Sequence, residues 1–330
     1  MKKTLCYAVL LGVLAAAAPF AALLFPAPAP EEAPAATPQP SAEIPALTPQ
    51  PLAEAPLSED TDATGDLTLY DAADGQKRTV PVREFLIGAA ACELPYDWPE
   101  DAILAQMVAS HSYALSLGEP MQINSALCAG WTDADVLQAR WGEDFTAAYD
   151  RLADLADQVY DVLLCYDGTP AAACYHSISA GKTEASQNVW LTALPYLQGV
   201  DSPWDTAAPD FEVSVTYSAE QMAVMLQSLG LEPGDDPAGW FGESRTDAAG
   251  YVESQEICGE TFGGTTLRSA FSLRSAAFTV GYADGEFTLT TRGYGHGVGL
   301  SQYGAKAMAE GGADWRDILT YYFPGCTIAQ

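Results

Sequence analysis

The sequence predicts an α+β fold in which helices and β-hairpins are mixed along one large domain. Three observations predict it. Stretches with apolar residues at helical spacing are interleaved with strand pairs that turn at Asp-Gly. Neither the regular β-α-β alternation of a parallel sheet nor an internal repeat is present. Hydrophobic residues make up 48% of the 330, enough to bury a real core.

The elements follow in order. "LTLYDAADGQKRTVPV" predicts a hairpin turning around Ala73–Gly75. "REFLIGAAACE" predicts a short helix that stops before Leu94-Pro95, because proline disfavours helical geometry in the residue before it. "PEDAILAQMVASHSYALSLG" predicts a long helix with Pro99 at its first position and Glu100 and Asp101 at the positive end of its dipole. Ile103, Met107, His111 and Leu115 form one stripe on it, and Gly118 and Pro120 stop it. "WGEDFTAAYDRLADLADQV" predicts a further helix. "YDVLLCYDGTPAAACYHS" predicts a hairpin with Asp167-Gly168 in the turn, Cys165 facing Pro170, and His176 delivered by its second strand. "SAEQMAVMLQSLG" predicts a helix capped by Ser218. "SAAFTVGYADGEFTLTTRG" predicts a hairpin turning at Asp284-Gly285. Two helices, in "SQYGAKAMAEGG" and "DWRDILTYYF", end the chain.

Ahead of this lies different material. Lys2 and Lys3 precede an uncharged run from Thr4 to Phe25, long enough to cross a bilayer. Positive charge on its N-terminal side keeps that end in the cytoplasm and exports the rest. A cleaved signal peptide is the alternative, given the small residues in "AAAAP". Residues 26–65, rich in Pro and Ala with few large apolar groups, predict an extended disordered linker. The organisation is therefore an anchor over 1–25, a linker over 26–65 and a folded domain over 66–330, held at the outer face of the cell membrane by a single span. A net charge of −30 excludes a basic nucleic-acid footprint and argues against adhesion to anionic lipid. Cys92, Cys128, Cys165, Cys174, Cys258 and Cys326 have irregular spacing, with no Cys-x-x-Cys pair. They are expected to be free, mostly buried thiols, and no zinc site is expected.

Three stretches carry candidate chemistry. In "GAAACELPYDWPED", Glu93 lacks the structural uses open to Asp97, Glu100 and Asp101. A carboxyl group leaving an apolar helix end beside Tyr96 and Trp98 is partly desolvated, which raises its pKa and suits a general acid. In "CYHSISAGKTEASQNVW", Gly181-Lys182-Thr183 resembles a phosphate loop, but His176 stands where that motif needs its first glycine, so a nucleotide site is rejected. Trp190, Tyr196 and Trp204 offer stacking faces, with core packing as the alternative for each. In "GYGHGVGLSQYGA", His296 sits among five of the chain's twenty-eight glycines. Those glycines mark either a turn or the floor of a cleft where a bulky ligand lies on bare backbone.

These blocks, together with "PYLQGVDSPWD", "LRSAAFTV" and "AKAMAEGGADWRDILTYYFPG", occur in an order that resembles the stage II sporulation protein D family, over nearly all of residues 66–330. The resemblance implies a catalytic domain with a glycan-binding cleft. Its implied activity is that of a lytic transglycosylase cleaving between N-acetylmuramic acid and N-acetylglucosamine in peptide-stripped peptidoglycan, with 1,6-anhydro products, during engulfment. It implies Glu93 as the catalytic residue, in "CELP" where the family has Glu-Met-Pro. It also implies glycan contacts from His176, Ser177, Lys182, Trp190, His296, Ser301, Gln302 and Tyr303, with support from His111 and Tyr113, and no cofactor. The implied partners are glycan strands, a cell-wall amidase and other engulfment proteins. The sequence departs from the family where Ser110, His111, Ser112 and Tyr113 replace Ala-Arg-Thr-Tyr and where Ala180 replaces a glycine. Some relatives bind zinc after the long helix, where this chain has Cys128 and no histidine. A non-catalytic wall-binding protein that stimulates an amidase is the second reading.

Overall fold

The computed structural model describes residues 63–190 and 192–330. The expected anchor and all but the last residues of the linker lie outside the described residues. Among the described residues no helix is long and apolar enough to cross a membrane. Ala63, ahead of the expected domain start at residue 66, packs against Leu163, Cys165 and Ala329.

Strands β1 (Leu67–Asp71) and β2 (Gln76–Val80) form the first hairpin, and β3 (Met121–Ile123) adds to β1 in parallel. Between them run α1 (Val82–Glu93) and α2 (Glu100–Ser116). Pro99 stands just outside α2 as its N-cap, one position earlier than expected. The single apolar stripe expected on α2 is also too narrow. Every residue from Ala102 to Ser112 is buried, because other parts of the main core pack around the whole helix. A buried serine on it is therefore hydrogen-bonded internally: the Ser112 hydroxyl donates to the Val108 carbonyl and accepts from the Leu164 amide, whereas His111 Nδ1 has no partner.

Helices α3 (Ala134–Trp141) and α4 (Phe145–Val159) follow. Strand β4 (Leu163–Tyr166) pairs with β5 (Thr169–Pro170), with Cys165 opposite Pro170 as expected. Asp167 and Gly168 both have positive φ, as a two-residue hairpin turn requires. The hairpin ends there, however. His176 does not arrive on its second strand but on a separate strand β6 (Tyr175–His176). Helix α5 (Ser186–Trp190) closes that segment.

A second hydrophobic core occupies the stretch from β7 (Glu212–Ser218) to β12 (Glu286–Arg292). It holds α6 (Ala219–Ser228), with Ser218 and Gln221 in a complete capping box. A β8–β10 sheet follows (Phe241–Thr246, Val252–Ile257, Glu260–Phe262), then α7 (Gly264–Ala270) and β11 (Phe278–Ala283). The β8–β10 sheet and α7 were not anticipated, since their burial alternates weakly along polar sequence. Strand β13 (Leu300–Ser301) then pairs in parallel with β6, placing Leu300 opposite Tyr175 and Ser301 opposite His176. Helices α8 (Gln302–Glu310) and α9 (Trp315–Tyr322) and strand β14 (Thr327–Ala329) return to the main core. The β6–β13 pair brings two motif blocks together that are more than a hundred residues apart in the chain.

Candidate active site

Glu93 is the last residue of α1. Leu94 turns extended (φ −128°, ψ 150°) ahead of Pro95, and its amide donates to the Ala90 carbonyl to close the helix. The side chain is half-buried and lies against the start of α8, where the Gln302 amide donates to Glu93 Oε2 at 3.4 Å. The Gly130 amide also bonds the carboxyl. Desolvation outweighs these two hydrogen bonds, and Cys128 adds to it, so the Glu93 pKa is pushed up to about 7.

Gln302 is held in turn. Its amide group also donates to Gln106 Oε1 at 3.2 Å, and Gln106 donates to the Ser110 hydroxyl at 3.0 Å. Ser110 hydrogen-bonds Tyr175, whose buried phenol is held well above its ordinary pKa by burial, with Glu93 nearby adding to it. A chain of neutral groups, Gln302–Gln106–Ser110–Tyr175, therefore backs the carboxyl. Gln106 and Tyr175 were not singled out from the sequence. The signal available was an amide and a serine four residues apart on an otherwise apolar helix.

A second cluster lies about Val298. His176 is buried, and its Nδ1 donates to the Val298 carbonyl at 3.1 Å, which leaves Nε2 without a partner. The half-buried His296 accepts the Val298 amide on its own Nδ1 at 3.1 Å, and it hydrogen-bonds the Tyr175 backbone. Burial brings His176 down to about 4. Burial, then His176 and Arg268, hold His296 well below the ordinary imidazole value. Both rings are neutral near pH 7, and between them they hold the N–H and the C=O of one residue, Val298, in two successive peptide units. Trp190 is 37% exposed, with its ring 5.0 Å from His296. Among the described residues no hydrogen bond joins Glu93 to His176, Lys182, Trp190 or His296. The two clusters are linked through the β6–β13 pair.

The glycines around His296 have an internal use. Gly293, Gly295, Gly297 and Gly299 all have positive φ. A Cβ on Gly299 would stand 2.1 Å from the Cys174 carbonyl oxygen, and one on Gly297 would stand 2.3 Å from the Tyr251 hydroxyl. The bare backbone is taken up by the protein's own segments, so the loop as a bare floor for a ligand is corrected to a close-packed support for His296. Ser301 is corrected likewise. It is fully buried, caps α8 through the Gly304 amide and donates to Asp205 Oδ1 at 2.8 Å, so its hydroxyl does not reach solvent. Lys182 is partly exposed and pairs with Asp201 at 3.2 Å. His111 is buried, faces the Val162 backbone and is held at about 4 by burial, and Tyr113 is half-buried. Ser177 is half-buried, its carbonyl accepting the Tyr303 amide.

Glu184 was passed over in the sequence beyond its place in the motif. It is buried, accepts from Asn188 at 2.9 Å, and is pushed up to about 8 by burial and by a hydrogen bond shared with Asp247. On the Glu93 side, the chain after Pro95 borders an open groove of about 630 Å³ whose walls include Trp98, Arg151 and Lys306. Tyr303 stands edge-on to Trp98 with ring centroids 5.0 Å apart. Among the described residues no three His, Cys, Asp or Glu side chains gather as a metal site would require.

Fold and site together define an α+β protein in which a desolvated glutamic acid, held by a glutamine amide, stands two residues ahead of Pro95, itself in the wall of an open, largely charged groove. The family model for the stage II sporulation protein matches residues 71–176. The chain is 31% identical to stage II sporulation protein D of Bacillus subtilis (strain 168) over 80% of its own length and 79% of that relative. It is 31% identical to the protein of the same name from Bacillus amyloliquefaciens, over 79% and 78%. To the amidase enhancer of Bacillus subtilis (strain 168) it is 26% identical, over 74% of this chain and 40% of that protein. The chain belongs to the stage II sporulation protein D family.

Proposed function

We propose that this protein acts on the cell wall during sporulation as a lytic transglycosylase. It cleaves the bond between N-acetylmuramic acid and N-acetylglucosamine in peptide-stripped glycan strands. The observation that carries the reading is Glu93: a carboxyl pushed up to about 7, with no second carboxylate among the groups that shift it. Glycoside hydrolysis needs two carboxyl groups across the bond, one as acid and the other as base or nucleophile. Intramolecular attack needs only one. Protonated Glu93 donates to the glycosidic oxygen as the bond to C1 breaks. The resulting carboxylate takes the proton of the muramic C6 hydroxyl as that oxygen closes on C1, which leaves the 1,6-anhydro sugar and restores the acid. A pKa of about 7 lets one group serve both half-steps near neutral pH.

Gln302 orients the carboxyl, and its own orientation is set by Gln106. Trp98, with Tyr303 edge-on to it, gives the groove an apolar face for a sugar ring, while Trp190, His296, Lys182 and Ser177 supply stacking and polar contacts farther along the strand. Lys182 suits the muramic carboxylate. The Thr4–Phe25 run and the Pro/Ala-rich linker support a membrane-tethered domain working outside the cytoplasm. The test is digestion of amidase-treated glycan with the full chain, followed by mass spectrometry. Anhydro-muramyl ends from the wild type and none from Glu93→Gln are expected. Reducing ends without anhydro sugar overturn the mechanism. Intact glycan together with stimulation of an amidase turns the protein into a wall-binding partner.

A further inference from the structure

Immediately before Glu93, at the end of α1, stands Cys92. Its Sγ lies 3.1 Å from the Sγ of Cys128, with the Cys92 thiol donating. The two residues come from segments 36 positions apart, which are also joined without the sulfur atoms where the Trp131 indole donates to the Glu84 carbonyl of α1 at 3.2 Å. Buried Asp71 accepts the Ser125 amide at 3.1 Å and the Ser125 hydroxyl at 2.5 Å, which fixes the turn that carries Cys128. Arg140 donates to the Ala91 carbonyl at 3.3 Å and to Cys128 Sγ at 3.1 Å, so it ties the α1 end to that turn and places a cation on one sulfur. Cys128 has φ +52°, an uncommon conformation for a side chain without a local hydrogen-bonding use. Both cysteines are half-buried, whereas Cys165, Cys174 and Cys326 are buried.

We propose that Cys92 and Cys128 form a modification site: a dithiol that reacts with low-molecular-weight disulfides and closes an intramolecular disulfide beside Glu93. The Cys128 thiolate attacks one sulfur of the small disulfide, whose S–S bond breaks and expels one thiolate, which takes up a proton. The Cys92 thiol gives its proton to solvent and its sulfur attacks Cys128 Sγ. The mixed disulfide breaks and the second small thiolate leaves and is protonated. Two protein thiols are oxidised and one small disulfide is reduced to two thiols. The sulfur atoms need to approach by only about 1 Å to reach bonding distance, which movement of a turn and a helix end supplies.

The order of attack follows from the surroundings. The thiol donated by Cys92 and the Arg140 cation bring Cys128 down to about 6 despite burial, whereas Cys92, the donor, is held well above its ordinary value. Cys128 is thus the attacking sulfur and Cys92 the resolving one. The consequence for Glu93 rests on the reading of that residue as general acid. The groups bearing on Glu93 are Cys128, Cys92, Tyr175, the Gln302 amide and the Gly130 amide. Closing the disulfide removes the Cys128 negative charge, so the acid loses its proton at lower pH than in the dithiol form.

The experiment treats the reduced full chain with glutathione disulfide, alkylates the remaining thiols and maps the peptides by mass spectrometry. A wild-type link between the Cys92 and Cys128 peptides is expected. Cys92→Ser should stop at a glutathione adduct on Cys128, and Cys128→Ser should form neither adduct nor link at Cys92. Two free thiols in the wild type, or a link between Cys165 and Cys326 instead, overturn the proposal. The mapping is independent of activity, so a link in a protein inactive on glycan leaves the site standing and removes the transglycosylase reading. In active protein, the alkaline limb of the pH–rate profile should move to lower pH on oxidation. An unmoved limb overturns the coupling to Glu93.

Discussion

At the scale of single residues the proposed reaction turns on the protonation of Glu93. Glu93→Gln keeps the shape and removes the transferable proton, so the rate of anhydro-product formation should fall at least about a hundredfold with the fold intact. The same substitution has a signature in stability. The folded pKa of about 7 lies above the ordinary 4.5, so the unfolded chain releases this proton first as pH rises. The wild type therefore bears no penalty from this group below pH 4.5, loses stability between 4.5 and about 7, and bears the full penalty above that. Urea unfolding should show Glu93→Gln more stable than wild type by about 1–3 kcal/mol at pH 8, with the difference vanishing in acid. Equal stability at both pH values would mean the carboxyl is better solvated than its partners imply. Glu93 was legible because it was the one carboxyl in its stretch without a turn or helix start to serve. Gln106 and Tyr175 were not, because their importance lies in facing Gln302 and Glu93 across the core, and nothing local records that.

Among elements, the decisive one is the parallel pair of Tyr175–His176 with Leu300–Ser301. It exists because Gly293, Gly295, Gly297 and Gly299 let the later segment press against Cys174–Ser179 and Tyr251. Gly299→Ala combines a φ of +76° with a methyl group 2.1 Å from a carbonyl oxygen. It should cost about 2–5 kcal/mol, the sum of the left-handed penalty and overpacking. Gly312→Ala has φ +93° but open space, so only the smaller backbone cost of about 1–2 kcal/mol should appear. Denaturant melts of the two variants compare them directly, and equal losses would show that close packing adds nothing. The hairpins at Asp167-Gly168 and Asp284-Gly285 and the capping box at Ser218 were readable, since each is set by residues adjacent in the chain. The end of the β4–β5 hairpin at Pro170 was not, because the partner that draws Tyr175 and His176 away lies far along the sequence.

Over the whole molecule, charge and the two cores dominate. A net charge of −30 opposes compaction through self-repulsion. Raising salt from about 10 mM to about 150 mM shortens the screening length from about 30 Å to about 8 Å, so the melting temperature of the full chain should rise. A fall would show that exposed pairs such as Arg83–Asp157 outweigh the repulsion. Phe287 is buried at the centre of the second core, where it packs on Trp240 and Phe241. Phe287→Ala should cost about 3–5 kcal/mol in calorimetry. At temperatures where the variant remains folded it should leave the Glu93 reaction unchanged, because Glu93, Gln302 and Gln106 belong to the other core's surroundings. A matching loss of activity would tie the second core to the site.

By itself the sequence determined the mixed α+β class, the first helix and its stop at Leu94-Pro95, the long second helix, the Asp-Gly turns, the cap at Ser218 and the desolvation of the Glu93 carboxyl. All of these follow from interactions within a few residues, or from the one carboxyl group with no local duty. Only the tertiary structure decided that the long helix is buried on every side and that His176 and His296 hold the backbone of Val298 between them. It likewise decided that Ser301 faces Asp205 rather than solvent, that the glycines serve close approach within the protein, and that Cys92 meets Cys128. Each of these depends on segments distant in the chain arriving at one place. Short-range propensity carries no record of that, because the free energy that selects it comes from burying both partners together.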